Sequence, residues 1–400
     1  MRAEGPRARS HGGVRDRDYE RLARQLERSE PPHCPYEGCE AHRADARLAG
    51  WRPTKRGRYH HRFLRRSIQR WQCPSCGRTF SARAFLLEYR AKRPGLVALV
   101  FSLVAESQAM RQVARTLGVS EHLVRRRVRA LGSQAVLHLA TSLAQLAGRL
   151  HGPVEIDGFR SYATSHYETI DLYTLIHTQT GFWLAVSAAV SRRPGKLRPA
   201  QAAEKLSRDA RLGPPHPRYR RAAALDRLLA QLARLLPPRA RTELHSDLEP
   251  EIAAAVRRSP LGHRLRHRTV PGSANRALPG HPLARTNREH GLARHVRADH
   301  RRRTIAFPKR LYAAVDRIHL HILWRNFLKG VSERSARLRR LTPAILLGLA
   351  SSVPSPAQLV HRRLFPSIAN LPPLLRDAYY ASLRARTAER SSPELLFRPA

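Results

Sequence analysis

A chain of 400 residues is longer than one hydrophobic core comfortably serves, so two or more domains are expected. Its 74 Lys and Arg stand against 30 Asp and Glu, a formal net charge of +44, and a field of that size draws polyanions, nucleic acid first among them. No apolar run reaches the roughly 18–20 residues of a membrane span, and the Arg- and Gly-rich start has no signal-like apolar stretch, so neither membrane insertion nor secretion is expected.

Arg heavily outnumbers Lys amid abundant Ala, Leu and Pro, the usage of GC-rich coding sequence, so clustering says more than the total. From Arg52 to Arg70 there are eight Arg or Lys and no acid. From Arg257 to Arg303 there are thirteen Arg and two acids, Glu289 and Asp299. Clusters of this kind suit backbone-phosphate contacts better than an even coat of charge does.

Residues 1–32 mix both charges with Gly and Ser and are expected to form a flexible arm. A first module, residues 33–82, holds all four cysteines: Cys34-x4-Cys39 and Cys73-x2-Cys76. In a chain with a cytosolic character, two close pairs favour metal over disulfides, and two thiolate knuckles make the tetrahedral sulfur cage of a structural Zn2+. Four sulfur ligands leave no open position for water, so such a zinc would fold a small module rather than do chemistry. Gly77 suits the positive φ that a knuckle often needs, and His33 and His42 are expected to be bystanders. Between the knuckles, Tyr59 to Trp71 alternates aromatic and basic residues, as a hairpin that also meets phosphate would.

Residues 83–148 carry helical periodicity broken at Gly118. The run Ser107 to Val128 has the parts of a helix-turn-helix: small Ala114 at a close crossing, Gly118 ending one helix, Val119 inward and Ser120 capping the next. Val113, Leu117, Val119, Leu123, Val124 and Val128 make the inward stripe. Arg125, Arg126, Arg127 and Arg129 are left for the DNA side, where Arg bridges guanine O6 and N7 in a major groove.

From Pro153 the pattern turns to β, with strands over Val154–Tyr162, Thr169–Thr178 and Phe182–Val190, the last two joined by a Gln179-Thr180-Gly181 turn. A Pro-punctuated helical stretch follows to about Ala240. Then come a strand over Thr242–Ser246, a helix from near Glu249, a strand-like Arg264–Val270, and helices near Arg285–Arg303 and Lys309–Phe327. Residues 331–400 read as a mixed, Pro-rich tail.

With these parts in order, the chain resembles bacterial insertion-sequence transposases that join an N-terminal zinc ribbon and a helix-turn-helix to a DDE catalytic domain. The resemblance spans about residues 34–330 and is carried by Arg70-Trp-Gln-Cys-Pro-Ser-Cys-Gly-Arg-Thr-Phe-Ser81, Arg111-Gln-Val-Ala-Arg115, Val154-Glu-Ile-Asp-Gly158, Ser246-Asp247 and Arg302-Arg-Thr-Ile-Ala-Phe-Pro-Lys309. It implies a multidomain α+β chain whose residues 150–330 form a ribonuclease H-like α/β domain: a mixed sheet, three antiparallel strands first, helices on both faces.

It further implies three carboxylates holding two Mg2+ or Mn2+ ions, one activating the attacking oxygen and one steadying the leaving oxygen. Asp157 matches the first carboxylate and Asp247 the second, with Glu243, Glu249 and Glu251 as nearby competitors. Asp171, charged within an apolar strand, reads as a supporting residue rather than a ligand. For the third position Glu289 is the candidate, while the register of the Arg302–Lys309 run points one or two residues away, to Asn287 or His290. Arg294, Arg297, Arg301 and Arg302 recur along and beyond the same helix as candidate contacts to a DNA backbone. The implied function is metal-dependent cleavage and strand transfer of element-end DNA by a homo-oligomer on double-stranded DNA, in the bacterial cytoplasm and associated with the nucleoid. The alternative is a catalytically inactive DNA-binding remnant or repressor of the same architecture.

Overall fold

The structure is a computed structural model that describes residues 17–91, 94–162, 167–192, 197–212, 217–271, 280–301, 306, 308 and 310–388. The chain is mixed α and β, with a three-stranded sheet and a five-stranded sheet. It divides into two compact units: residues 1–103, 110–127 and 356–363 form the first, and residues 104–109, 128–355 and 364–400 the second.

In the first unit, helix α1 (Arg17–Arg28) takes up part of the arm expected over residues 1–32, of which residues 1–16 lie outside the described residues. Asp18 and Glu20 in its first turn and Arg28 in its last complement the helix dipole, and Tyr19 and Ala23, one turn apart, are buried. Strands β1 (Thr54–His61), β2 (Arg66–Gln72) and β3 (Thr79–Ser81) form an antiparallel sheet in that order. Ile68, Trp71 and Phe80 are its buried residues. Helices α2 (Val97–Ala105) and α3 (Met110–Leu117) and the start of α4 (Glu121–Leu146) follow. Gly118 turns the chain at φ +61°, a conformation costly for any residue with a Cβ, and Val119 N–H closes the turn on the Ala114 carbonyl at 3.0 Å. Ser120 Oγ then accepts from Leu123 N–H at 3.2 Å, the cap expected of it.

The 26-residue α4 does not stop where a short reading helix would. Beyond Arg127 its residues belong to the second unit, because Val136, Leu137, Leu139, Ala140, Leu143 and Leu146 are all core residues there. Strands β4 (Val154–Tyr162), β5 (Glu168–His177), β6 (Trp183–Arg192), β7 (Thr242–Asp247) and β8 (Leu265–Val270) form one sheet in the order β6-β5-β4-β7-β8. β5 is antiparallel to both β4 and β6, while β7 runs parallel to both β4 and β8. The near-continuous apolar run of β5 and β6 follows from burial of both faces.

Around the sheet lie α5 (Pro199–Leu212), α6 (Arg221–Leu235), α7 (Pro250–Arg258), α8 (Ala284–Val296) and α9 (Leu311–Phe327). Short helices α10 (Ala336–Arg340), α11 (Pro343–Leu346) and α12 (Pro356–Val360) and the longer α13 (Pro373–Ala388) complete the chain. Residues 331–400 are therefore more than a tail. Ala344, Leu371, Leu374 and Leu375 join the second unit's core, whereas Leu87 N–H donates to His361 and Arg363 N–H to Phe85 in the first. Among the described residues, no helix is long and apolar enough to cross a membrane.

Candidate functional sites

The four cysteines converge. Their sulfur atoms all lie within 4.8 Å of one another, with Cys34 to Cys76 and Cys39 to Cys73 each at 3.8 Å. A tetrahedral zinc with Zn–S bonds of about 2.3 Å requires sulfurs about 3.8 Å apart, so the donor set fits the ion by type and by size. Each knuckle is shaped by its own backbone: Cys34 N–H donates to the Ala41 carbonyl, Cys73 N–H to Arg78, and Gly77 N–H back to Cys73. Burial pushes the Cys34 thiol up. Burial also opposes ionisation of Cys73, but the Trp51 indole N–H at 3.4 Å and the peptide N–H groups of Cys76 and Ser75 bring that thiol down to about 7. His33 and His42 stand outside the sulfur set, each with Nδ1 on the Cys34 carbonyl, at 2.9 and 2.7 Å.

The exposed face of the hairpin is basic: Arg52, Lys55, Arg56, Arg58, Arg62, Arg65 and Arg70 are all solvent-facing. On α4 the four expected DNA-side arginines divide. Arg125 and Arg126 are exposed, with Arg125 2.7 Å from Glu121 on the previous turn. Arg127 is withdrawn onto Glu88 at 2.9 Å, and the second Glu88 oxygen caps α2 through Gly95 and Val97 N–H. Arg129 stacks on the Tyr312 ring, 4.8 Å from its centroid. A helix that packs on two sides keeps few faces for a partner, and Arg127 and Arg129 occupy the packed ones.

In the second unit, β4 and β7 pair in parallel with Val154 opposite Leu244, Glu155 opposite His245 and Ile156 opposite Ser246. Asp157 and Asp247 are the residues that directly follow the last pair of that register, Ile156 with Ser246. Asp157 is 5% exposed, and its Oδ1 accepts from Gly158 N–H at 2.8 Å. The Asp247 carboxylate is turned to its own loop, Oδ1 accepting from Glu249 N–H at 3.1 Å.

Helix α8 crosses this end of the sheet with its phase fixed by Glu155. That carboxylate is fully buried and accepts from Thr286 N–H, in the helix's first turn, at 2.6 Å. Burial raises its pKa. Thr286 and His290 are one turn apart, as Glu155 and Asp157 are one pleat apart, so His290 arrives at Asp157: Nδ1 lies 3.7 Å from Oδ2. Its Nε2 meets Thr174 Oγ1 at 2.9 Å, and its ring packs on Phe159 at 4.8 Å.

Glu289, one residue earlier, is turned by about 100° around the helix. It faces β6 and α9 instead, where Arg325 grips both its oxygens at 2.6 Å and Trp183 Nε1 donates at 3.3 Å. The expected meeting of Asp157, Asp247 and Glu289 is therefore not formed. Among the described residues, the cysteines alone make a set of three or more His, Cys, Asp or Glu ligand atoms so close.

The predicted backbone-binding arginines fare unevenly. Arg294 lies over the Phe159 ring at 5.6 Å and Arg301 is exposed, but Arg297 is buried, donating to the Val104 carbonyl and pairing with Asp299. Its helix ends at Val296 rather than near Arg303, because Arg297 already has extended backbone. Arg302 lies outside the described residues, as do most of the residues of the Arg302–Lys309 run.

Sequence reading missed the network on the opposite face of the sheet. Asp171 accepts from Arg160 at 2.9 Å, Arg221 at 2.8 Å and Ser191 at 2.8 Å. Arg221 also reaches Glu249 and Glu251, and Glu249 accepts from Tyr173 Oη at 2.5 Å. Tyr173 lies against Gly158, where an added Cβ would come within 3.1 Å of the ring, so a side chain after Asp157 would press the ring aside by a few tenths of an ångström. The only sequence signal was charge at alternate positions of otherwise apolar strands.

No protein-family model matches this chain, and no curated protein sequence matches it. Among solved structures, the chain is similar to one in the cryo-EM structure of the simian T-cell lymphotropic virus intasome in complex with PP2A regulatory subunit B56 gamma. The two are 12% identical over 68% of this chain and 78% of that one, with a TM-score of 0.26. A TM-score that low carries no argument about fold or activity.

Proposed function

We propose that this protein is a DNA-binding transposase, with residues 33–82 as a zinc ribbon, 83–148 as a helix-turn-helix and 150–330 as a ribonuclease H-like domain for metal-dependent cleavage and strand transfer. The observation that supports the reading is the parallel β4–β7 register, whose last pair, Ile156 with Ser246, directly precedes Asp157 and Asp247 at the centre of a sheet ordered β6-β5-β4-β7-β8. Two carboxylates on neighbouring parallel strands are the start of a site for divalent cations, which take oxygen ligands and can activate one oxygen while steadying another. Turning the Asp247 side chain from its own loop toward Asp157 would bring the pair onto a shared Mg2+ or Mn2+.

The basic hairpin and the exposed Arg125 and Arg126 support the DNA-binding half, and Arg294 and Arg301 are the basic residues near the second site that remain candidates for a DNA backbone. Zinc would hold the first module and do no chemistry.

The test is Mg2+- or Mn2+-dependent cleavage of duplexes carrying the flanks of the protein's own gene. Asp157→Ala and Asp247→Ala should each abolish cleavage while leaving duplex binding intact. A second reading, a DNA-binding remnant or repressor, is favoured by one observation, the locking of Glu289 onto Arg325. A wild-type chain that binds those duplexes and cuts none under either metal would establish that reading instead.

A further inference from the structure

We infer that the tip of the β1–β2 hairpin is a base-contacting wedge, in which Phe63 enters against a DNA base while Arg62 and Arg65 hold phosphates beside it. The inference rests on the DNA-binding half of the reading above. It adds a contact with the bases, and with it a preference for duplexes that hold an unpaired base.

The tip is the turn between His61 and Arg66, the last pair of the β1–β2 register. His61 closes it twice: its carbonyl accepts from Arg65 N–H at 2.8 Å, and its Nδ1 accepts from Leu64 N–H at 3.2 Å. Arg65 is bent to φ +50°, a region that a side chain of its size rarely enters, so the turn has a set shape. Two side chains anchor that shape on α1. Leu64 packs against the cluster of Tyr19, Ala23 and Leu86, and Arg66 gives Glu27 two hydrogen bonds, at 2.9 and 3.1 Å. Arg62, Phe63 and Arg65 are left exposed.

Phe63 is 42% exposed, whereas Trp71 is buried and Tyr59 is half-buried with its hydroxyl on Ser81 Oγ at 3.4 Å. One exposed apolar side chain is ordinary on a protein surface, and what marks this one is its company. Of the eight Arg and Lys from Arg52 to Arg70, all but Arg66 are exposed, and no acid lies among them. A protein partner would need acids to answer those charges as well as a pocket for the ring. DNA answers both at once, with phosphates for the cations and flat base faces for the phenyl group. An apolar side chain that enters a base stack does so at the cost of unstacking, which is least where a base is already unpaired. Because the turn is fixed on α1 beforehand, little further chain freedom is lost on binding.

The experiment uses the full chain in Zn2+-containing buffer and two duplexes, one fully paired and one with an unpaired 2-aminopurine. Wild type should bind the second about tenfold more tightly and change its 2-aminopurine emission. Phe63→Ala should bind both duplexes alike, with the emission change gone, while Phe63→Trp, with a larger π face, should keep both effects. Arg62→Gln and Arg65→Gln should each weaken both duplexes equally and lower the salt slope by about 1. If Phe63→Ala binds both duplexes as wild type does, the ring touches no base and the inference is overturned, while the DNA-binding reading stands. If that variant keeps its DNA affinities but loses self-association in sedimentation, the tip meets a second copy of the chain instead. If wild type binds neither duplex, the DNA-binding reading falls and the wedge with it. Circular dichroism checks the fold of each variant, and Phe63→Gln makes the same comparison should Phe63→Ala not fold.

Discussion

The sulfur cluster and the side chains around Asp157 are brought together at opposite ranges in the chain. Cys34 with Cys39, and Cys73 with Cys76, are paired by turns a few residues long, and a three-stranded sheet brings the two turns together. Asp157, Asp247 and His290 come from β4, β7 and α8, and nothing local joins them. The cysteine site is closed by its own knuckles, whereas the other is only as accurate as the packing of a helix on a sheet. The first can be read from spacing alone; the second depends on where buried side chains anchor that helix.

The sharpest way to break this contrast is at the sulfur end. Cys73→Ser should reduce bound zinc from about one per chain to none and unfold the ribbon module, since structural zinc contributes on the order of 10 kcal/mol to such modules. Protease cuts should then fall within residues 33–82, with the second unit resistant. Equal resistance of the ribbon with and without metal would show that its core suffices.

At the packed end, Arg325→Met leaves Glu289 charged and buried without its partner, and should cost about 3–5 kcal/mol in a denaturant titration. Restoring most of that loss by adding Glu289→Leu would identify the pair as a packing device, and failure to restore it would give Glu289 a role beyond Arg325.

Acid should expose the same interior. Burial lowers His300 and His319 from 6.5 to about 4, so the unfolded chain takes up protons between those values while the folded one does not. Stability is full above pH 6.5, falls as pH drops toward 4 and levels below it, by about 3 kcal/mol for each histidine at most. His319→Leu should flatten that slope; an unchanged slope would place the proton uptake elsewhere.

The smallest effect belongs to the DNA face. Arg125→Ala should weaken duplex binding and lower the salt slope by about 1, whereas Arg127→Ala should act on thermal stability, because it is Glu88 that loses a partner. Equal effects on binding would put both arginines on the nucleic acid.

Much of the fold was legible in sequence, and the pattern of success is physical. Runs of strand-forming residues between turn signals located β4 to β8 to within a residue or two, since turn chemistry is a local demand. Gly118 and Ser120 marked the turn before α4 because a positive φ and a cap are local demands. What could not be read was rotation about a helix axis. Sequence puts Glu289 forward, with Asn287 and His290 as weaker alternatives, and the bond from Thr286 N–H to Glu155 turns His290 rather than Glu289 toward Asp157. Arg127, Arg129 and Arg297 failed in the same way: arginine is counted as surface in sequence, yet each found an acid, an aromatic ring or a carbonyl inside its unit.

The seating of α8 along β4 works as a vernier. Two residues of strand advance about 6.7 Å and four of helix about 6.0 Å, so successive contacts slip by under 1 Å each. Glu155 with Thr286, Asp157 with His290 and Phe159 with Arg294 are three such marks in line, and the helix ends two residues past the third. The next inward residue of the strand, Ser161, is met not by the helix but by His300 from the chain beyond it. Three coincidences are what two rulers of these pitches can share, and the middle one, least affected by error at either end, falls at Asp157.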